Sequence, residues 1–543
     1  MLGSATLSAW ALLPSAAGAQ DAAPPAAPVA PKPTTPPAAP VTAPPALDIW
    51  EFAVDGNSVL SDVEIIKTLE PFLGLDRTPD DVDHAREALE RHYRDRGYKT
   101  VSVAIPKQTV RDGVIVLEVT ESRVGRLNVV GSEYHSLDQI KAEAPALAEG
   151  TVPDFNKVSS DIAALNQQAD RRVTPSLKAG ATPNTVDVDL VVDDDLPLHG
   201  SLELNNRRSQ DTSNLRAVAS LSYDNLFQRG HSLSASVQTA PENTDDAKVF
   251  FGSYLARFGA SPFNLLVNGL ISDSNIATVG GINVLGRGQT LGVRGIWTLP
   301  GTEELYQSLS VGVDYKHFKN TTVLGGGEIP TPITYYPLTA AYSSILRQNE
   351  YIAQLDLSLS FNSGQLGSRS DEFDLNRFGA RGQQFWLRGS FAQTFGLPAS
   401  LQGYIKLGGQ LTDQPLISNE QFSAGGADTV RGYLEASALG DYGISSTMEL
   451  RSPPLADYLD IGDSFRPVET LRAYAFADSA VLRVRQPIAD TPSDLRLASF
   501  GFGFDFRLLG HLSGSVDWAN PINSIATTRA GNSRVLFRVL GSF

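Results

Sequence analysis

Residues 420–451 read EQFSAGGADTVRGYLEASALGDYGISSTMELR. In this stretch Val430-Arg431-Gly432-Tyr433 sits in a polar, glycine-rich loop, just before a strand-like segment that carries Glu449. Gly432 permits a tight turn beside a long cationic side chain, and Tyr433 brings a ring that packs and a hydroxyl that hydrogen-bonds. A guanidinium in such a loop presents a rigid fork of donors and calls for a carboxylate. Where that carboxylate lies depends on the segments around it.

Working outward, alternating strand-like segments recur from Leu198 to the last residue. They lie near 198–207, 213–223, 231–241, 246–258, 263–274, 289–298, 305–317 and 335–347. More follow near 351–362, 382–392, 401–411, 441–451, 468–478, 496–508, 511–519 and 534–543. In the second of these, Leu215, Ala217, Ala219 and Leu221 share one face, and Arg216, Ser220 and Ser222 share the other. Lipid outside and water inside a closed sheet produce that pattern, and closure pairs every edge that hydrocarbon cannot satisfy. Connections alternate in length: 224–230, 259–262 and 348–350 are short, whereas 275–288, 318–334 and 412–440 are long. Short periplasmic turns and long outer loops fit this, and an even strand tally leaves both chain ends in the periplasm. The final segment, Arg534 to Phe543, ends on an aromatic and suits a closing strand. A soluble sandwich or β-helix is the competing architecture, and it does not explain the secretion-like start together with this terminal strand. No amphipathic helix is expected after Pro197.

Two small modules precede the strands. Trp50, Phe52 and Val54 alternate up to Gly56-Asn57, Ser61 heads a short helix, and Val82, Ala85, Leu89 and Tyr93 share one face of a second. Strands follow near 99–105 and 113–120, giving the order β-α-α-β-β. The order repeats from Leu127, with helices at 137–143 and 154–170 and strands at 173–178 and 185–192. Each copy reads as a small sheet covered by two helices, with an edge that can accept an extended client.

The chain has 543 residues, no cysteine, 44 Lys and Arg against 60 Asp and Glu, and a formal charge of −16. That balance argues against a nucleic-acid partner. Residues 1–19 read as a signal peptide, with an apolar run from Leu7 to Leu13 and small residues at Ala17-Gly18-Ala19. Residues 20–46 read as a Pro/Ala-rich linker. No later segment approaches the roughly 20 apolar residues of a spanning helix. His84, His92, His135, His199, His231, His317 and His511 show no metal-ligand spacing, and Ser479 beside Asp478 has no positioned base. No enzyme activity, metal or cofactor is expected.

From about residue 47 onward the chain resembles the two-partner secretion transporters of the outer membrane, the haemolysin secretion/activation family (TpsB). The resemblance implies two periplasmic POTRA domains, at 47–122 and 123–196, and a 16-stranded antiparallel transmembrane β-barrel at 197–543. Val430-Arg431-Gly432-Tyr433 resembles the family signature in the sixth outer loop, between the eleventh and twelfth strands. Phe476-Ala477-Asp478-Ser479-Ala480 resembles the barrel-wall motif whose aspartate receives the loop arginine, with Ala480 where the family often has glycine. Asp478 can accept two hydrogen bonds from Arg431 and pin the loop tip to the wall; Glu449 is a weaker second acceptor. The function implied is export of a large secreted polypeptide, haemolysin-like or adhesin-like, without nucleotide hydrolysis. The partners expected are that client, outer-membrane lipids and lipopolysaccharide, and the barrel assembly machinery. The alternative is an outer-membrane assembly factor, an insertase for other barrels, and a simple porin would need no paired modules.

Overall fold

The computed structural model describes residues 47–110, 112–166, 168, 170–259, 261–274, 276–279, 282–302, 304–324, 327–458, 468–488 and 492–543. The signal peptide and linker expected at 1–19 and 20–46 lie outside the described residues. The chain divides into two compact units. One comprises residues through Asn128 with Ala144–Ser160 and Pro175–Asp189; the other comprises Val129–Glu143, Asp161–Thr174 and Leu190–Phe543.

The first module follows from its caps and its apolar spacing. Ser61 starts the helix Asp62–Leu69 with a reciprocal box: its hydroxyl accepts from Glu64 N–H, and the Glu64 carboxylate accepts from Ser61 N–H. Thr78 and Asp81 do the same for the helix Pro79–Asp95, with proline at a first-turn position where no N–H is needed. Val82, Ala85, Leu89 and Tyr93 then fall on one buried face. They meet Val101, Val103, Ile115, Leu117 and Val119 in one core. The sheet runs in the order Glu51–Asp55, Val114–Glu121, Val101–Ala104, its first pair parallel and its second antiparallel.

In the second module the same order recurs: Arg123–Val130, helices Leu137–Ala142 and Phe155–Leu165, then Arg171–Ala179 and Thr185–Asp194. Its sheet places the last strand between the other two.

Sixteen antiparallel strands close into the barrel. They are Leu198–Asn205, Arg216–Leu226, His231–Thr239, Lys248–Arg257, Phe263–Asp273, Gly288–Leu299, Leu305–Phe318 and an interrupted eighth, Ile333–Tyr335 with Leu338–Gln348. The ninth to sixteenth are Tyr351–Ser363, Gln383–Gly396, Gln402–Leu411, Tyr442–Arg451, Val468–Arg483, Asp494–Leu508, Leu512–Pro521 and Arg534–Ser542. The last pairs with the first from Arg538 opposite Asn205 to Ser542 opposite Ser201, so no edge is left open.

Alternation decides which side meets which solvent. In the thirteenth strand Phe476, Asp478, Ala480 and Leu482 are buried, whereas Ala475, Ala477, Ser479 and Val481 are exposed. Leu221, Phe250, Ile271, Leu357, Ile444 and Phe502 stand exposed on the outer face of other strands. A water-soluble chain rarely shows so much large apolar surface, but a barrel set in hydrocarbon requires it. Connections at one end are short, such as 349–350 and 509–511, and those at the other are long, such as 364–382 and 412–441.

One expectation fails. A helix, Ser370–Asn376, stands in the connection between the ninth and tenth strands. Seven residues give too little length for a 3.6-residue period to show, and it is held by a single fully buried anchor, Phe373. The Phe373 ring meets Tyr335 edge-on at 5.9 Å.

Candidate functional site

The connection 412–441, between the eleventh and twelfth strands, folds onto inward-facing side chains of the barrel wall. Its tip is Val430-Arg431-Gly432-Tyr433, and all four residues are buried. Arg431 Nε lies 2.8 Å from Asp478 Oδ2 and Nη2 lies 2.9 Å from Oδ1, a bidentate pair. The Arg431 backbone N–H also donates to Asp478 Oδ2, at 3.1 Å. Nη1 is left over, and it meets Glu449 Oε1 at 2.9 Å and Asp517 Oδ1 at 3.4 Å. Beneath the guanidinium the Phe476 ring lies 3.5 Å away, centroid to carbon, so its face takes the cation while the carboxylates take the in-plane donors.

Strand register explains why these groups converge. Glu449 is opposite Phe476 and Thr447 is opposite Asp478, on the twelfth and thirteenth strands. Phe476 and Tyr474 are opposite Gly501 and Gly503 on the fourteenth, and these in turn are opposite Ala519 and Asp517 on the fifteenth. A Cβ on Gly503 would stand 2.7 Å from the Tyr474 ring and 2.6 Å from Asp517 Oδ1. The glycine therefore leaves room for Tyr474 to donate to Asp517 Oδ1 at 2.9 Å across the strand between them. Glu449 also keeps a partner of its own, since Arg451 Nη2 holds its Oε2 at 2.7 Å.

The rest of the tip is shaped by backbone. Gly432 has φ +93°, a left-handed conformation that costs an L side chain about 1–2 kcal/mol. Tyr433 reaches past it, its hydroxyl 2.7 Å from Asn523 O and accepting Asn523 N–H at 3.2 Å. Val430 and Tyr433 pack with Ala424, Ala438, Ala480, Leu482 and Leu497.

The base of the loop has two further carboxylates that sequence reasoning did not single out. Glu420, 1 % exposed, accepts from Lys316 Nζ at 2.5 Å, Tyr335 Oη at 2.7 Å and Arg388 Nη2 at 3.2 Å. Asp441, fully buried, accepts from Leu416 N–H at 2.8 Å, Gln421 Nε2 at 3.1 Å and Arg485 N–H at 2.6 Å. Only the strand order around the circumference brings the donors of Glu420 together, whereas two of those on Asp441 come from its own loop. Among the other residues singled out from sequence, Phe543 follows the closing strand, 70 % exposed, with its ring over Gly200. Ala480 is buried beside the tip.

Paired POTRA-like modules, a closed 16-stranded barrel and an inward-folded loop with a buried arginine define an outer-membrane barrel protein of the two-module type. A family model described as "Haemolysin secretion/activation protein ShlB/FhaC/HecB" matches residues 184–506, and one described as "POTRA domain, ShlB-type" matches residues 47–122. The chain belongs to that haemolysin secretion/activation family. It is accordingly an outer-membrane barrel with its N-terminal modules in the periplasm.

A curated relative, the outer membrane transporter CdiB of Dickeya dadantii (strain 3937), is 20 % identical over 183 residues. That match spans 34 % of this chain and about a third, 32 %, of the relative. The solved structure of CdiB from Escherichia coli is similar with a TM-score of 0.66 at 19 % identity, covering 94 % of this chain and 93 % of that one. CdiB from Acinetobacter baumannii gives 0.61 at 14 % identity, over 93 % and 91 %. BamA from Haemophilus ducreyi, lacking POTRA domains 1–3, gives 0.54 at 15 % identity, over 92 % and 100 %. At these identities the structures show a shared fold and no more.

Proposed function

We propose that this chain translocates a large partner polypeptide from periplasm to cell surface, as a conduit and not as an enzyme. The observation that carries the reading is the loop 412–441 lying against the inner wall, with Arg431 buried between Asp478, Glu449 and Asp517. A loop so placed narrows the lumen, and the Arg431–Asp478 pair is the latch that holds it. An unfolded client docks on the periplasmic modules by adding a strand to an open sheet edge. Docking weakens the latch, the loop yields, and an extended chain passes outward. Folding outside gives direction without nucleotide, since folding releases about 5–15 kcal/mol per domain.

The test is passage of a partner fragment into vesicles that hold the full barrel. Transport should be lost when residues 47–196 are removed, and equal transport without them would sink the docking step.

A second reading, assembly of other barrels, has one observation in its favour. The closing ladder runs only from Arg538 opposite Asn205 to Ser542 opposite Ser201, whereas the ladders flanking it run from Arg216 opposite Asn205 to Tyr223 opposite Leu198 and from Leu512 opposite Gly541 to Ala519 opposite Arg534. A short seam opens more readily than a long one. Capture of nascent barrel strands at Leu202 and Val539, with no capture of extended client, would move that reading ahead.

A further inference from the structure

A cavity of about 430 Å³ opens where the first strand ends and the last begins. It lies at the end of the barrel that carries the long connections. Its lining includes Arg208, Arg534, Asn214, Asn532, Thr527 and Thr528, with no acidic residue among the lining groups. That is unusual in a chain of formal charge −16.

Among the described residues neither Arg208 nor Arg534 has a carboxylate oxygen within 4.0 Å, whereas nearby Arg207 holds Asp428 at 3.1 Å and Arg538 holds Glu203 at 2.9 Å. The Arg208 guanidinium donates only to Thr212 O, at 3.4 Å. Glu435, the loop acid of this neighbourhood, accepts from Ala427 N–H at 3.0 Å instead. The Thr527 hydroxyl is buried and has no partner. An unpartnered buried hydroxyl beside two guanidiniums that touch no carboxylate marks a place for an acceptor-rich ligand.

We propose that this cavity binds a phosphoryl group, supplied by a phosphorylated lipid headgroup of the outer leaflet or by free phosphate. Two guanidinium forks together with the Thr527 hydroxyl and the Asn214 and Asn532 amides offer more donors than the two oxygens of a carboxylate can use. A tetrahedral anion with three free oxygens uses them. Location supports the lipid source: Val535, which lines the cavity, is 55 % exposed on the outer apolar face. The site also touches the loop, because Leu434 lines it and Glu435 N–H donates to the Arg208 carbonyl at 3.1 Å. An anion held there braces the loop in its inward position.

The test uses the full chain in detergent, read by thermal unfolding and by ³¹P line broadening on addition of inorganic phosphate. A second arm adds vesicles of phosphatidylcholine with or without diphosphorylated lipid A. Arg208→Gln with Arg534→Gln should weaken phosphate binding about tenfold or more, since each lost charge-assisted bond is worth about that factor. Arg347→Gln, a charge change at the other end of the barrel, should leave it unchanged. Binding of lipid A that free phosphate displaces, and that the double variant loses, establishes the shared chemistry and the lipid source. Response to free phosphate alone, lost in the double variant, establishes the site with a soluble ligand. The proposal is overturned if the double variant binds as the parent does, if neither probe binds, or if only a polyglutamate peptide binds through these arginines.

Discussion

Replacing Arg431 by alanine should free the loop tip more than replacing the aspartate it faces. The change removes the bidentate contact to Asp478 and the Nη1 contacts to Glu449 and Asp517. It leaves three carboxylates around an empty place, only two of which keep other side-chain donors, from Arg451 and Tyr474. Breaking a buried pair from one side costs about 3–5 kcal/mol. At about 1.4 kcal/mol per decade, the fraction of open loop should rise from about a hundredfold to several thousandfold. Asp478→Ala removes three hydrogen bonds but is milder, because Arg431 keeps Glu449 at 2.9 Å and Asp517 at 3.4 Å and is not left as an unpaired charge; about 10- to 100-fold is expected. The native chain contains no cysteine, so Val430→Cys supplies a single, fully buried thiol at the tip. Its rate of alkylation by a maleimide reports how often the tip opens. The reasoning fails if Arg431→Ala leaves that rate within a factor of two of the parent, or if Asp478→Ala exceeds it.

Other outcomes follow from the same geometry. Gly432→Ala forces a side chain into φ +93°, and in the Val430→Cys background it should speed alkylation about 5- to 30-fold, as a 1–2 kcal/mol strain would. Glu420→Ala leaves Lys316 and Arg388 facing each other without their shared carboxylate, so the loop base should lose protection in hydrogen exchange at 416–421 while the barrel strands keep theirs. In the second module, burial works to raise the Asp194 pKa, but Glu133 N–H, the His135 ring, the Ser132 hydroxyl and Tyr134 N–H prevail and hold it at about 2. A depressed carboxylate pKa stabilises the fold above its unfolded value, near 3.8, and that contribution is lost as pH falls toward 2. Exchange of the 132–135 amides should therefore quicken across that window, and Asp194→Asn should abolish the transition.

How much of this could be read beforehand depended on the range of the interactions involved. Local alternation is imposed by two solvents on one strand, so all sixteen strands show in sequence, with ends off by a few residues. The caps at Ser61 and Thr78 are equally local. Asp478 was accessible through a motif, not through distance along the chain. Asp517, Glu420 and Asp441 were not accessible at all, since an acid on a strand looks the same whether it faces a lumen cation or water. What distinguishes them is register carried across neighbouring ladders, as when Gly503 sets Tyr474 and Asp517 on either side of it. The helix Ser370–Asn376 is hidden for a different reason, being under two turns long, too short for its period to show.

The direct test of the account is to fasten the loop and ask whether transport stops. Cysteines at Thr429 and Thr447, whose carbonyl and hydroxyl oxygens lie 3.4 Å apart, would join the loop to the twelfth strand beside Arg431. In vesicles holding the otherwise native chain, the crosslinked form should pass no partner fragment, and reduction should restore passage. Undiminished passage through the crosslinked barrel would contradict a conduit gated by this loop.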